Sequence, residues 1–167
     1  MKKFALIIFP VVLCMILSGS TSAQRKVKRL GRVCGDPTAV CKVESTFGPN
    51  ELPFDTGRNG IIAESEKFYA VVISSVKIGE GVDCEAILPE TDRLKIQELF
   101  PKKKVFVDRC GDPGSNFYKG FAINVGVMAI FAGRTRAEAV QFLAAVKATG
   151  KFDDAYLKWT QAGINGT

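Results

Sequence analysis

Two strand–helix–strand patterns that follow one another over residues 68–161 restrict the possible folds more than any other feature of this sequence. In the first pattern, residues 68–76 are apolar and rich in β-branched and aromatic side chains, which predicts a buried strand. A helix is predicted over 89–100, because Pro89 is suited to the first helical position and acidic residues occupy the first turn. Residues 104–110 then predict a second strand.

The second pattern contains the most clearly marked helix of the chain. Residues 127–132 predict a strand, after which Thr135 and Glu138 have the spacing of a capping box. Apolar residues then recur with helical periodicity, Gly150 is typical of the residue that follows a helix, and residues 155–161 predict a closing strand. Two such halves in one small domain predict an α+β, ferredoxin-like βαββαβ fold, with a four-stranded antiparallel sheet and two helices on one face.

The two halves resemble the SPOR (sporulation-related repeat) domains of bacterial envelope proteins, and the resemblance covers residues 67–162. The residues that carry it best are 130–135 (Ile-Phe-Ala-Gly-Arg-Thr), 137–139 (Ala-Glu-Ala) and 150–157, which ends in Ala-Tyr-Leu. The first half is more distant, since Val72 stands where many members have glutamine and Ser74 where they have glycine. The resemblance supports the ferredoxin-like prediction.

SPOR domains bind the glycan strands of peptidoglycan, stripped of stem peptides, on the sheet face that the helices leave open. The resemblance therefore implies a non-catalytic wall-binding module. Because side chains alternate between the two faces of a strand, the open face is expected to carry Val72, Ser74 and Phe131. Aromatic rings stack on sugars while hydroxyl groups bind their polar edges. The candidate glycan-binding residues are Val72, Ser74, Ser75, Phe131 and Trp159.

Two other interpretations use the same fold. Residues 34–66 must pack somewhere, and if they cover the open face, Phe131 and Trp159 are core residues. The protein would then be an exported, disulfide-stabilised interaction or inhibitor domain that binds an envelope protein instead of a glycan. A nucleic-acid partner is not expected, because the third predicted strand lacks the aromatic motif of RNA-recognition modules.

The chain contains no histidine, which removes several classes of enzyme from consideration. A Ser-His-Asp triad, a Cys-His pair and a histidine-ligated metal all require this residue. No pair of acidic residues is marked as the two carboxylates of a glycosidase. Asp36 and Asp112 lie in a repeated Cys-Gly-Asp-Pro sequence that is typical of turns. The protein is therefore predicted not to be an enzyme, and no cofactor or metal is expected.

Residues 1–23 have the pattern of a secretory signal peptide: two lysines, a short apolar run and small residues before a predicted cleavage after Ala23. The apolar run is shorter than the roughly 20 residues of a membrane-spanning helix. A periplasmic or secreted protein without a transmembrane segment in the mature chain is expected. The predicted segments are 1–23 (signal peptide), 24–66 (basic arm and irregular disulfide-containing extension), 67–162 (SPOR-like domain) and 163–167 (tail).

Four cysteines follow the predicted cleavage site. An even number in an exported protein indicates two disulfides, for which three pairings are possible. The pairs Cys34–Cys41 and Cys84–Cys110 are favoured because each encloses one local segment. The alternative is a four-cysteine zinc site, which usually has two C-x-x-C pairs, whereas the gaps here are longer.

Overall fold

The computed structural model describes residues 33–34, 44–48, 51–57, 60–84, 86–109 and 116–165. The predicted signal peptide, most of the basic arm and two of the four cysteines lie outside these residues. No helix in the described part of the chain is long and apolar enough to cross a membrane. The elements are β1 (Phe54–Thr56), β2 (Ile62–Lys77), α1 (Glu90–Leu99), β3 (Val105–Asp108), β4 (Asn116–Lys119), β5 (Val125–Gly133), α2 (Arg136–Lys147) and β6 (Tyr156–Asn165).

The predicted four-stranded ferredoxin-like fold is wrong, because the described residues form a six-stranded antiparallel sheet that curls into a half-barrel. The strand order is β3-β5-β2-β6-β4, and β1 pairs with the first part of β2. The strands β1 and β4 were not predicted. Each pairs with a polar or glycine-containing end of a long strand, β1 with Ala63–Ser65 of β2 and β4 with Gln161–Ile164 of β6. Such ends lack the continuous β-branched runs by which the other strands were identified.

Both helices lie where the sequence predicts them, and they pack on one face of the sheet, here called the helix face. At the start of α2, Thr135 Oγ1 accepts the Glu138 N–H (3.3 Å) and Glu138 Oε2 accepts the Thr135 N–H (3.0 Å), which confirms the capping box. α2 packs on β5, β2 and β6, whereas α1 packs on β3. The buried residues of this layer are Val71, Val105, Val107, Met128, Ile130, Ala132, Ala139, Val146 and Ala155.

α1 also closes the outer edge of β3 with polar side chains. Arg93 and Gln97 are the buried residues of this helix. Gln97 Oε1 accepts the N–H of Val105 (3.0 Å), and Arg93 Nη1 donates to the Val105 carbonyl (3.1 Å). The two side chains thus bond the backbone groups that an unpaired edge strand would leave open.

The other face of the sheet, here called the opposite face, is covered by residues that precede β2. The ring of Phe47 is buried, and its centroid lies 5.1 to 6.2 Å from those of four other aromatic residues. These partners are Phe68, Phe106, Tyr118 and Phe131. Leu52 belongs to the same cluster and is fully buried. The face that the helices leave open is therefore an aromatic core.

Polar contacts hold residues 45–48 and 51–52, here called the covering segment, on the sheet. Lys104, whose side chain is 1% exposed, forms an ion pair with Glu51 (Nζ to Oε2, 2.5 Å). The same Glu51 oxygen accepts the N–H of Gly48 (2.9 Å), and Val107 donates its N–H to the carbonyl of Ser45 (3.0 Å). Burial lowers the pKa of Lys104, while the hydrogen bond from its ammonium to Glu51 opposes this effect.

Candidate binding site around Trp159

The five residues predicted to bind glycan lie in separate places and do not form one surface. Val72 and Phe131 are buried on the opposite face. Ser74 lines a cavity of about 380 Å³ beside α1, and Ser75 is exposed towards the end of β2. Trp159 is exposed on the helix face, so the two aromatic residues that were expected to form one platform point away from each other.

A β-bulge explains why Ser74 does not share a face with Val72. In the pairing of β2 with β5, Val72 lies opposite Ala129 and Ser74 lies opposite Met128, so two steps on β2 match one step on β5. The irregularity reverses the alternation of faces from that point onward. Ser74 and Met128 therefore line the same cavity on the helix face.

Trp159 is a half-exposed aromatic residue held in place by its neighbour on the next strand. Leu157 packs on the buried layer of the helix face, and a residue two positions further along a strand shares that face. Tyr69 lies directly opposite Trp159 on β2, with the ring centroids 4.3 Å apart. Because Tyr69 also packs against the buried layer, it supports one side of the indole while 44% of Trp159 remains exposed.

An open cleft of about 270 Å³ lies beside this aromatic pair. Its central row consists of three side chains on neighbouring strands, since Lys67 of β2 and Lys119 of β4 both lie opposite Gln161 of β6. The Gln161 amide donates to the carbonyl of Ser65 (Nε2 to O, 2.6 Å), which leaves its Oε1 available as an acceptor. The complete lining is Lys67, Lys119, Gly120, Trp159, Thr160 and Gln161.

The two lysines of the cleft differ in their electrostatic surroundings. Lys119 forms an ion pair with Glu64 (Nζ to Oε1, 2.5 Å). Lys67 is exposed and has no ion pair with any residue in the described part of the chain. An aromatic plate, an amide acceptor and ammonium donors can bind a ligand by stacking and hydrogen bonding.

Trp159 is the only residue of this cleft that the sequence predicts as a binding residue. Tyr69 is not among the predicted binding residues, and neither are Lys67 and Gln161. The available signal was weak: both residues stand two positions from an aromatic residue of a predicted strand and so share its face. Which residues meet across the strands depends on register, which the sequence does not specify here.

The acidic residues and cysteines of the described ranges form no metal site. Within the described ranges, no group of three or more Cys, Asp or Glu residues could hold a metal ion. Cys34 and Cys84 each take part in a disulfide. Cys41 and Cys110 lie outside the described residues. The pairing Cys34–Cys41 and Cys84–Cys110 therefore stays a prediction.

Comparison of the chain with known protein families, with curated proteins and with solved structures finds no match. The likeness to SPOR domains therefore rests on the sequence pattern alone, and the four-stranded fold that it implied is wrong.

Proposed function

We propose that this protein is an exported, non-catalytic binding module for glycan strands, with peptidoglycan as its target and Trp159 as the residue on which a sugar ring stacks. The observation that carries the proposal is the half-exposed indole, supported by Tyr69, at the edge of an open cleft. The opposite face has no part in it, because Phe131 and Val72 are buried there.

The chemistry of the cleft suits a carbohydrate. A pyranose ring presents an apolar face of C–H groups and a rim of hydroxyl groups, so it needs both a flat apolar surface and polar partners. The indole offers the first, while Gln161 Oε1 and the ammonium groups of Lys67 and Lys119 offer the second. Because the strands fix the backbone of all four residues, binding has to order only their side chains.

Co-sedimentation with purified peptidoglycan sacculi tests the proposal. The whole sequence is expressed, and the protein that the cell produces from it is purified. Sacculi are used with and without amidase treatment, which strips the stem peptides. We expect the protein to pellet preferentially with stripped sacculi and Trp159→Ala to abolish pelleting. Tyr156→Ala is the matched control, because Tyr156 lies on the same strand, is 46% exposed and, by alternation, belongs to the opposite face.

Two results would overturn the glycan proposal. One is failure of the unaltered protein to pellet with either preparation of sacculi. The other is equal pelleting of the protein and Trp159→Ala, which would place the binding surface elsewhere.

A second candidate function, binding of a protein partner, is favoured by the outer edge of β6. Ala162 donates its N–H to Ser65 Oγ on β2 (3.0 Å), so the backbone groups of Leu157 and Trp159 point to the other side by alternation. β4 pairs only with residues 161–164, and no other described strand pairs along 156–160 on that side. An extended peptide could add a strand there, as in other complexes formed at sheet edges.

Site-specific photocrosslinking in the producing cell tests this second function. A photoreactive amino acid at Tyr156, beside the free edge, should give a discrete protein adduct, whereas the same group at the exposed Lys77 should give none. Adduct formation together with absence of sacculus binding would favour the protein-binding function over the glycan-binding one. Identical adducts at both positions would contradict it.

A further inference from the structure

We infer that the ligand of the Trp159 cleft carries a carboxylate and that Lys67 recognises it. The inference rests on the proposed function and deepens it, because it names the class of sugar: an acidic sugar instead of a neutral one. It also assigns to Lys67 a role in specificity that is separate from stacking on Trp159.

The acidic residues near the cleft are neutralised by cations other than Lys67. The two acidic residues that precede Lys67 on β2 are both engaged with other cations. Glu64 pairs with Lys119, and Glu66 pairs with Arg134. Lys67 itself has no carboxylate partner among the described residues, so the cleft contains one ammonium whose charge is not balanced by a neighbour.

The ammonium of Lys67 lies one row away from the aromatic pair of Tyr69 and Trp159. Lys67 lies opposite Gln161, and Tyr69 lies opposite Trp159, so the two rows are adjacent on the same face of the sheet. Two residues along a strand correspond to about 7 Å. A sugar ring stacked on Trp159 would therefore have its substituents on one side directed towards Gln161 Oε1 and the flexible ammonium of Lys67.

A carboxylate fits this arrangement better than a hydroxyl group does. An ammonium donates up to three hydrogen bonds and accepts none, and its bonds to carboxylates are charge-assisted. Gln161 Oε1 is the acceptor on the same row and is suited to a hydroxyl or amide N–H of the sugar. The glycan strand of peptidoglycan offers both groups, because removal of its stem peptides leaves a free lactyl carboxylate on alternate sugars.

The intrinsic fluorescence of the protein makes the test direct, since Trp159 is the only tryptophan in the chain. The full-length product is titrated with peptide-free peptidoglycan fragments of defined length, either as free carboxylates or with every carboxylate methyl-esterified. We expect the free acid to bind about two- to fivefold more tightly, as is usual for an exposed ion pair, and the preference to shrink with added salt.

Variants of Lys67 separate charge recognition from stacking. Lys67→Gln should bind acid and ester equally while still responding in fluorescence, and Lys67→Arg should keep the preference for the acid. Lys77→Gln, ten residues further along the same strand and exposed, is the matched control and should behave as the unaltered protein.

The outcomes distinguish the inference from the function on which it rests. Equal affinity of the unaltered protein for acid and ester would overturn the role of Lys67 but leave glycan binding intact. Retention of the full acid preference in Lys67→Gln would also overturn it. Absence of any fluorescence change with either probe would overturn both the inference and the proposed function.

Discussion

Both faces of the sheet contain aromatic residues, but these are buried on the opposite face and partly exposed on the helix face. On the opposite face, Phe131 is buried beneath Phe47, a residue that lies before the first strand. On the helix face, Trp159 lies on a strand that α2 covers only in part, and 44% of it is exposed. Alternation along the strands places each ring on its face, but segments distant in sequence decide whether the ring is buried in a core or stays exposed.

The largest expected effect is a loss of stability, which should differ between alanine variants of these two aromatic residues. Phe131→Ala should lower the free energy of unfolding by about 3 to 5 kcal/mol, because it leaves a cavity in a packed aromatic cluster. Trp159→Ala should lower it by only about 1 kcal/mol, since the indole is half-exposed and loses chiefly its contact with Tyr69. Urea denaturation followed by circular dichroism measures both; similar losses would contradict the distinction between the faces.

The next prediction concerns the ion pair that holds the covering segment on the opposite face. Lys104→Met should cost about 3 kcal/mol, because removal of the buried ammonium leaves the Glu51 carboxylate without its charged partner. The double variant Lys104→Met with Glu51→Gln should recover part of this loss, since no uncompensated charge remains. Thermal and urea unfolding of the two variants measure the difference. A double variant less stable than Lys104→Met would contradict the explanation that the uncompensated Glu51 carboxylate causes the loss.

The elements predicted correctly are those whose signals are local. The capping box of Thr135 and Glu138 and the apolar runs of the central strands are read from a few neighbouring residues. Pro89 marks the start of α1 in the same way, although it lies at the N-cap and not, as predicted, at the first helical position. β1 and β4 were missed because their identity depends on pairing with the polar end of β2 and the last residues of β6. The fold class was wrong for the same reason.

The cleft beside Trp159 was predictable only in part because its residues come from three strands. Trp159 could be predicted from the sequence as a single large aromatic residue. Lys67 and Lys119 lie near it only because of the register in which β2 and β4 pair with β6. The bulge after Val72 moved Ser74 to the other face, and such an irregularity has no signature in this stretch of sequence. The covering of Phe131 by Phe47 depends on a contact across 84 residues of chain.

The smallest predicted effect concerns Glu138 at the exposed start of α2. Hydrogen bonds from Thr135 hold the pKa of Glu138 below its ordinary value of 4.5. A carboxylate with a lowered pKa stabilises the fold above its unfolded-state pKa, and this contribution is lost as the pH falls through the lowered value. Glu138→Gln should therefore cost about 0.5 kcal/mol at pH 7, because the cap is exposed and the amide still accepts a hydrogen bond. The difference should shrink as acidification protonates Glu138. Urea unfolding at a series of pH values measures this cost, and a constant cost for Glu138→Gln would mean that the carboxylate charge does not stabilise α2.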